Sequence, residues 1–264
     1  MNRHFLLTNG RSGSNYFVQL LNQHPNLVNY GEVLGPWTLP GRTIRPLFRG
    51  RHADYLDWLF ESPVAFAAGQ AVSFLSRIRR NRPPHVRRRG AIVSVGVKEF
   101  TVNLDRYGLR AYLAERSDIR LVTLVRANPL ARLVSARALA ASGRVARVAG
   151  DAGPPPAAVA LNPASIVHDL DVIELENEAV RAAGLNHRGP VFRIEYEAYF
   201  GADAARQAAI ADALQAFLGA EPRPLAAEHR KLRSAPLAAA VANYADIRRA
   251  LAGGPYERWL DDDL

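Results

Sequence analysis

The segment Leu6–Pro25, LLTNGRSGSNYFVQLLNQHP, decides the fold. An apolar run ends at Thr8, a small polar turn follows, and a second apolar run starts at once. Strand, tight turn and helix make up the repeating unit of an open parallel sheet, and such sheets bind ligands outside the carboxyl ends of their strands. The turn carries Gly10 and Gly13, one cation, Arg11, and three side-chain donors, Ser12, Ser14 and Asn15. Glycine lets backbone N–H groups approach an anion, and the start of the next helix adds a favourable dipole. The GxxxxGK[ST] spacing of magnesium–nucleotide loops is missing, and no second-strand aspartate stands ready for magnesium, so the anion is expected to bind without a metal. The plain alternative is a turn that only reverses the chain.

The same alternation continues outward. Short apolar runs rich in Val, Ile and Leu predict strands at Arg3–Thr8, Leu27–Tyr30, Ala91–Val97, Ile119–Val125 and Val191–Tyr196. Helical patterns lie between them, at Ser14–Gln23, Asp54–Leu75 (one or two helices), Asp105–Arg116, Pro129–Ser142, Pro163–Ala183, Asp203–Leu218 and Pro236–Leu251. Asn162 is the expected N-cap of the helix at Pro163. The pattern implies an α/β fold, a central parallel sheet flanked by helices on both faces, in a single domain spanning 1–264. Two stretches break the rhythm and are read as acceptor-shaping insertions, 35–90 and 143–163. The first contains RIRRNRPPHVRRRG (77–90), either a solvated basic loop or a patch for an acidic substrate or partner. The second is rich in Gly, Pro and Ala, as lids and binding loops often are.

Composition narrows the classes. The chain has 264 residues, 48% hydrophobic and 22% charged, in the range of folded rather than disordered proteins. It has no cysteine, which excludes disulfides, zinc thiolates and a cysteine nucleophile. The longest apolar candidate, Pro63–Leu75, is short and interrupted by Gln70 and Ser73, so no transmembrane helix is expected. No leader pattern precedes the first strand, and a cytoplasmic location is the default expectation. The net charge is +9, carried almost wholly by arginine, since Lys98 and Lys231 are the only lysines. Arginine suits bidentate contact with phosphate or sulfate oxygens.

A second motif, IRLVTLVRANPLARLVSARALA (119–140), ends a strand at Arg126 and places Ser135 about two turns into the following helix. Such a pair can hold one phosphate from two sides. At this point the chain resembles the sulfotransferases that use 3′-phosphoadenosine-5′-phosphosulfate (PAPS), in particular the bacterial carbohydrate and nodulation-factor type. TNGRSGSNYFVQLLNQHP resembles their 5′-phosphosulfate loop, and LVRANPLARLVSARALA their 3′-phosphate motif. NYGEVL (29–34) resembles the segment where bacterial relatives carry a glutamate. VGVKEF, FRIEYEAYF and the tail from His229 to Leu260 resemble later parts of the family.

The resemblance implies a P-loop-like sulfotransferase fold that moves a sulfuryl group from PAPS to a hydroxyl of a carbohydrate, glycolipid or small natural product, without a metal. Arg11, Ser12, Gly13, Ser14 and Asn15 would hold the 5′-phosphosulfate, Arg126 and Ser135 the 3′-phosphate. Lys231 and Arg233 would close over the nucleotide. Glu32 would be the general base, since no histidine stands where the cytosolic relatives place theirs. Lys98, at the end of an apolar strand, would face the cleft and touch the sulfonate or the acceptor, while Glu99 would point to the other face. The sequence departs from many relatives at Arg11, where they carry lysine, and at Asn15, where they carry threonine. Tyr196 and the seven histidines are read as structural or surface residues. Trp37, Tyr55 and Trp58 either form a sugar-stacking face or, as the favoured reading, pack helices. The rivals are a P-loop nucleotide kinase, which lacks its lysine and magnesium carboxylate here, and a non-enzymatic polyanion-binding protein. Nucleic acid is not expected as a partner, because the few aromatics are not interleaved with the basic residues.

Overall fold

The computed structural model describes residues 1–79, 86–143, 147–148, 157–225, 229–230 and 236–261, with 147–148 and 229–230 described as backbone only. Lys231, Arg233 and most of 143–163 lie outside the described residues, as do residues 80–85 of the basic segment. The strands are β1 (Asn2–Thr8), β2 (Leu27–Asn29), β3 (Ser94–Phe100), β4 (Ile119–Val125), β5 (Arg147–Val148), β6 (Val191–Glu195) and β7 (His229–Arg230). The helices are α1 (Ser14–Leu21), α2 (Leu39–Thr43), α3 (His52–Glu61), α4 (Pro63–Arg79), α5 (Thr101–Arg106) and α6 (Arg110–Glu115). They continue with α7 (Pro129–Ser142), α8 (Ile166–Asn186), α9 (Tyr196–Phe200), α10 (Ala204–Phe217), α11 (Leu237–Ala240) and α12 (Tyr244–Leu251).

Five strands form one sheet in the order β2-β3-β1-β4-β6, with every pairing parallel. β5 and β7 pair separately and antiparallel. β1 is central and covered on both sides, which explains its unbroken run of buried residues from His4 to Thr8. Its side chains still divide by parity. Phe5 and Leu7 join Val95, Val97 and Leu121 under α3, α4, α5 and α6, while Leu6 joins Val122, Leu124 and Ile194 under α1 and α10. A third apolar cluster joins α7, α8, α11 and α12. The expected central parallel sheet with helices on both faces is thus what the chain forms.

Several element ends differ from expectation, each for a local reason. β3 starts at Ser94 because Arg89–Ala91 forms a 3-10 turn, and it runs on to Phe100. The helix expected over Asp105–Arg116 is two, α5 and α6, divided at Gly108 with its positive φ. α8 begins at Ile166, because Asn162 instead closes a turn by accepting the Ala164 N–H at 3.0 Å. The last helical stretch breaks at Val241, which bridges in parallel to Val159.

The sheet order fixes where a ligand crevice opens. After β1 the chain passes to β2 and β3 on one side, and after β4 it passes to β6 on the other. The carboxyl ends of β1 and β4 therefore flank the topological switch point.

Candidate functional site

The loop after β1 turns through two left-handed residues, Arg11 at φ 66° and Gly13 at φ 79°, and Gly13 caps α1. A side chain at position 13 would also meet the Phe200 and Tyr196 rings at about 3 Å, so glycine is required there twice over. Ser12 and Ser14 are buried, and Asn15 is exposed on the first turn of α1. Arg11 reaches across the switch point and donates from Nε to Ser135 Oγ at 3.0 Å. One contact thus joins the two motifs that the sequence placed more than a hundred residues apart.

Arg126 follows β4 directly. It is 6% exposed, lies with its guanidinium carbon 4.4 Å from the centre of the Tyr196 ring, and directs Nη1 to the Arg11 carbonyl at 3.4 Å. Burial works against its charged form, while Tyr196 and Glu197 work for it. Burial, with Arg126 close by, likewise disfavours the charged form of Arg11. The Glu197 carboxylate accepts the Ala127 and Asn128 N–H groups at 2.9 and 3.0 Å, and Asn128 caps α7 by accepting the Ala131 N–H. The chain between Arg126 and Pro129 is therefore pinned from both sides.

Two buried polar atoms here, Ser12 Oγ and Arg126 Nε, have no hydrogen-bond partner among the described residues. Buried donors are nearly always satisfied, so such orphans need a cause. A hydroxyl and a guanidinium N–H, beside a second guanidinium and a helix start, form a donor set suited to phosphate or sulfate oxygens.

A second cluster stands at the carboxyl ends of β2 and β3. Glu32 Oε1 accepts from Lys98 Nζ, and Oε2 accepts from the Trp37 indole N–H. Lys98 is 2% exposed and lies 4.5 Å from the Phe100 ring centre, so it is a buried ion-pair partner inside the strand, not a lysine at its end. Trp37 is 51% exposed. Its indole rests on Gly35, where a Cβ would approach it to 2.5 Å, and its ring centre is 6.3 Å from that of Phe100. Glu99 points the other way, as alternation requires. It accepts from the Val33 and Leu34 N–H groups and from Asn103. Burial pushes its carboxyl up, against the pull of those donors.

The structure brings Arg11, Ser12, Gly13, Arg126 and Ser135 to one crevice, with Ser14 and Asn15 on the helix start behind it, and brings Glu32 and Lys98 together beside β3. Of the three aromatics weighed for sugar stacking, Tyr55 and Trp58 pack α3: Tyr55 is fully buried and donates to the Val33 carbonyl. Of the three, Trp37 is the exposed one, and Trp58 is half-buried. Tyr196, read as a structural aromatic, is the platform on which Arg126 lies.

Sequence reasoning missed Arg132. It is buried in α7 and donates from Nε to the Gly10 carbonyl at 2.7 Å, with its other nitrogens on Glu176, Asn177 and the Ile173 carbonyl. Its signal was an arginine amid apolar neighbours, ARLV, on a helix packed against the sheet. Asn9 was missed too. It accepts from Thr101 Oγ1 and donates to the Glu176 carbonyl, tying the loop to α5 and α8. Among the described residues, no group of three or more His, Asp or Glu side chains is placed to hold a metal ion.

No known family profile matches the chain, and no curated protein matches it. Among solved structures, the chain is similar to a sulfotransferase from Alicyclobacillus acidocaldarius, at 15% sequence identity and a TM-score of 0.46, over 98% of this chain and 99% of that one.

Proposed function

We propose that this chain, acting as one domain, is a sulfotransferase that moves a sulfuryl group from PAPS to a hydroxyl of a carbohydrate, glycolipid or small natural product. The observation that carries the reading is the pair of orphaned buried donors, Ser12 Oγ and Arg126 Nε, in the crevice where Arg11 meets Ser135. PAPS supplies the sulfuryl group on a phosphate leaving group. The chain's part is placement and charge stabilisation, as in phosphoryl transfer. In this reading Arg11, Ser12 and the N–H groups at the start of α1 hold the 5′ end of the donor, and Arg126 with Ser135 holds the 3′-phosphate. Arg132 and Asn9 fix the loop from behind.

Glu32 takes the proton of the acceptor hydroxyl as that oxygen attacks sulfur. Both its carboxylate oxygens already have donors, so one must yield. Lys98 is buried and stays on Oε1, while exposed Trp37 gives up Oε2 to the acceptor. The ion pair supports Lys98 as a residue that positions the base rather than one that touches the sulfonate.

Calorimetric titration with 3′,5′-bisphosphoadenosine in the absence of magnesium, beside ATP and AMP, tests the reading. Selective binding of the 3′-phosphorylated nucleotide is expected, lost on Arg126→Ala or Ser135→Ala. With an acceptor in hand, Glu32→Gln is expected to cut turnover by roughly 10²–10⁴ while nucleotide binding survives. No binding, or binding of ATP only with magnesium, overturns it.

A further inference from the structure

The basic segment 77–90 plays no part in the proposed chemistry, and it follows a helix with an inverted surface. On the inner side of α4, Ala65 and Phe66 are buried, Gly69 lies against the Tyr30 ring, and Gln70 accepts the Arg87 N–H at 3.1 Å. The outer side is a continuous apolar stripe at helical spacing, Val64, Ala68, Ala71, Val72, Leu75 and Ile78. The large members are well exposed, Val64 by 69%, Val72 and Leu75 each by 56% and Ile78 by 51%. An exposed apolar face of this length marks an interaction surface.

Charge decides what covers it. Between Glu61 and Glu99 the sequence has no acidic residue and seven arginines, at 77, 79, 80, 82, 87, 88 and 89. Of the described ones, Arg79 on the last turn of α4, Arg88 and Arg89 are exposed. An apolar helix face ending in arginines matches an anionic bilayer surface, with acyl chains under the stripe and phosphate headgroups at the arginines. A second copy of this chain fits less well, since a two-fold contact would set the same positively charged segment against itself. Among the described residues no helix is long and apolar enough to cross a membrane, so α4 would lie in the headgroup layer rather than span.

We propose that the outer face of α4, with exposed Arg79 on its last turn, forms a docking surface for an anionic lipid membrane. The surface does not depend on the donor chemistry, and the two can fail separately.

Flotation of the full chain with vesicles tests it. The chain is expected to rise with vesicles of phosphatidylcholine mixed with phosphatidylglycerol, not with phosphatidylcholine alone, and less as salt increases. Leu75→Glu and Arg79→Glu are each expected to weaken binding by roughly tenfold or more. Leu185→Glu, at a 74% exposed site on α8, should leave it unchanged. Both leucines are exposed, so unchanged thermal melting is expected to show that these variants fold. Failure to float with the anionic vesicles overturns the proposal. So does equal binding by Leu75→Glu, or a concentration-dependent dimer that Leu75→Glu abolishes while vesicle binding persists.

Discussion

At the scale of single residues, the loop after β1 holds a strained backbone and two close guanidinium groups. Arg11 holds a left-handed backbone that glycine adopts freely, and it does so beside a second buried guanidinium. A non-glycine residue in that region costs on the order of 1–2 kcal/mol. Arg11→Gly is therefore expected to raise stability to urea by up to about 1 kcal/mol, after the entropy cost of glycine, and to abolish binding of the bisphosphorylated nucleotide. Loss of stability equal to the loss of binding would instead make Arg11 a structural residue. Arg11, Ser12, Arg126 and Ser135 were legible in the sequence because strand, turn and helix start are local patterns. Arg132 was not. A lone arginine in a helix reads as solvent-facing, and its partners, from Gly10 to Asn177, lie on elements far apart in the chain. Tyr196 was hidden for the same reason, since its contact with Arg126 follows from β6 pairing with β4.

At the scale of elements, α9 is small but pins the chain where β4 passes into α7. Through Glu197 it satisfies the N–H groups of Ala127 and Asn128, which set the exit of β4 and the start of α7. Hydrogen bonds to a charged group contribute roughly 1.5–3 kcal/mol each. Glu197→Ala is expected to destabilise the fold by about 2 kcal/mol in urea denaturation and to weaken nucleotide binding through Arg126. Unchanged stability would mean that water replaces the carboxylate at no cost. Strands and long helices were legible from apolar runs and capping residues, as with Asn128 and Pro129 at the head of α7. Their ends were less so, because tertiary contacts set them. The Val159–Val241 bridge divides a helical pattern that the sequence alone runs straight through.

At the scale of the molecule, the sheet encloses a histidine. His4 is fully buried in β1, between Ser94 Oγ at 2.8 Å and the Asn29 amide at 3.1 Å. Burial pushes its pKa down from 6.5 to about 3. Between those values the unfolded chain holds the extra proton, so stability rises with pH there and is lost as pH falls from about 6.5 towards 3. Urea midpoints measured across that window should fall with acid in the wild type and flatten in His4→Gln. The sheet and its helical faces were legible in composition and alternation. Strand order was not, because sequence gives the succession of strands and not their neighbours. That order has a kinetic consequence. β1 is complete at residue 8, yet its two neighbours begin only at Ser94 and Ile119. β1 precedes both of its partners by more than eighty residues, so its pairings close long stretches of chain. High contact order of this kind slows folding. A nascent chain therefore carries the apolar run Phe5–Leu7 unpaired until β3 has been made, and paired along one edge only until β4 follows.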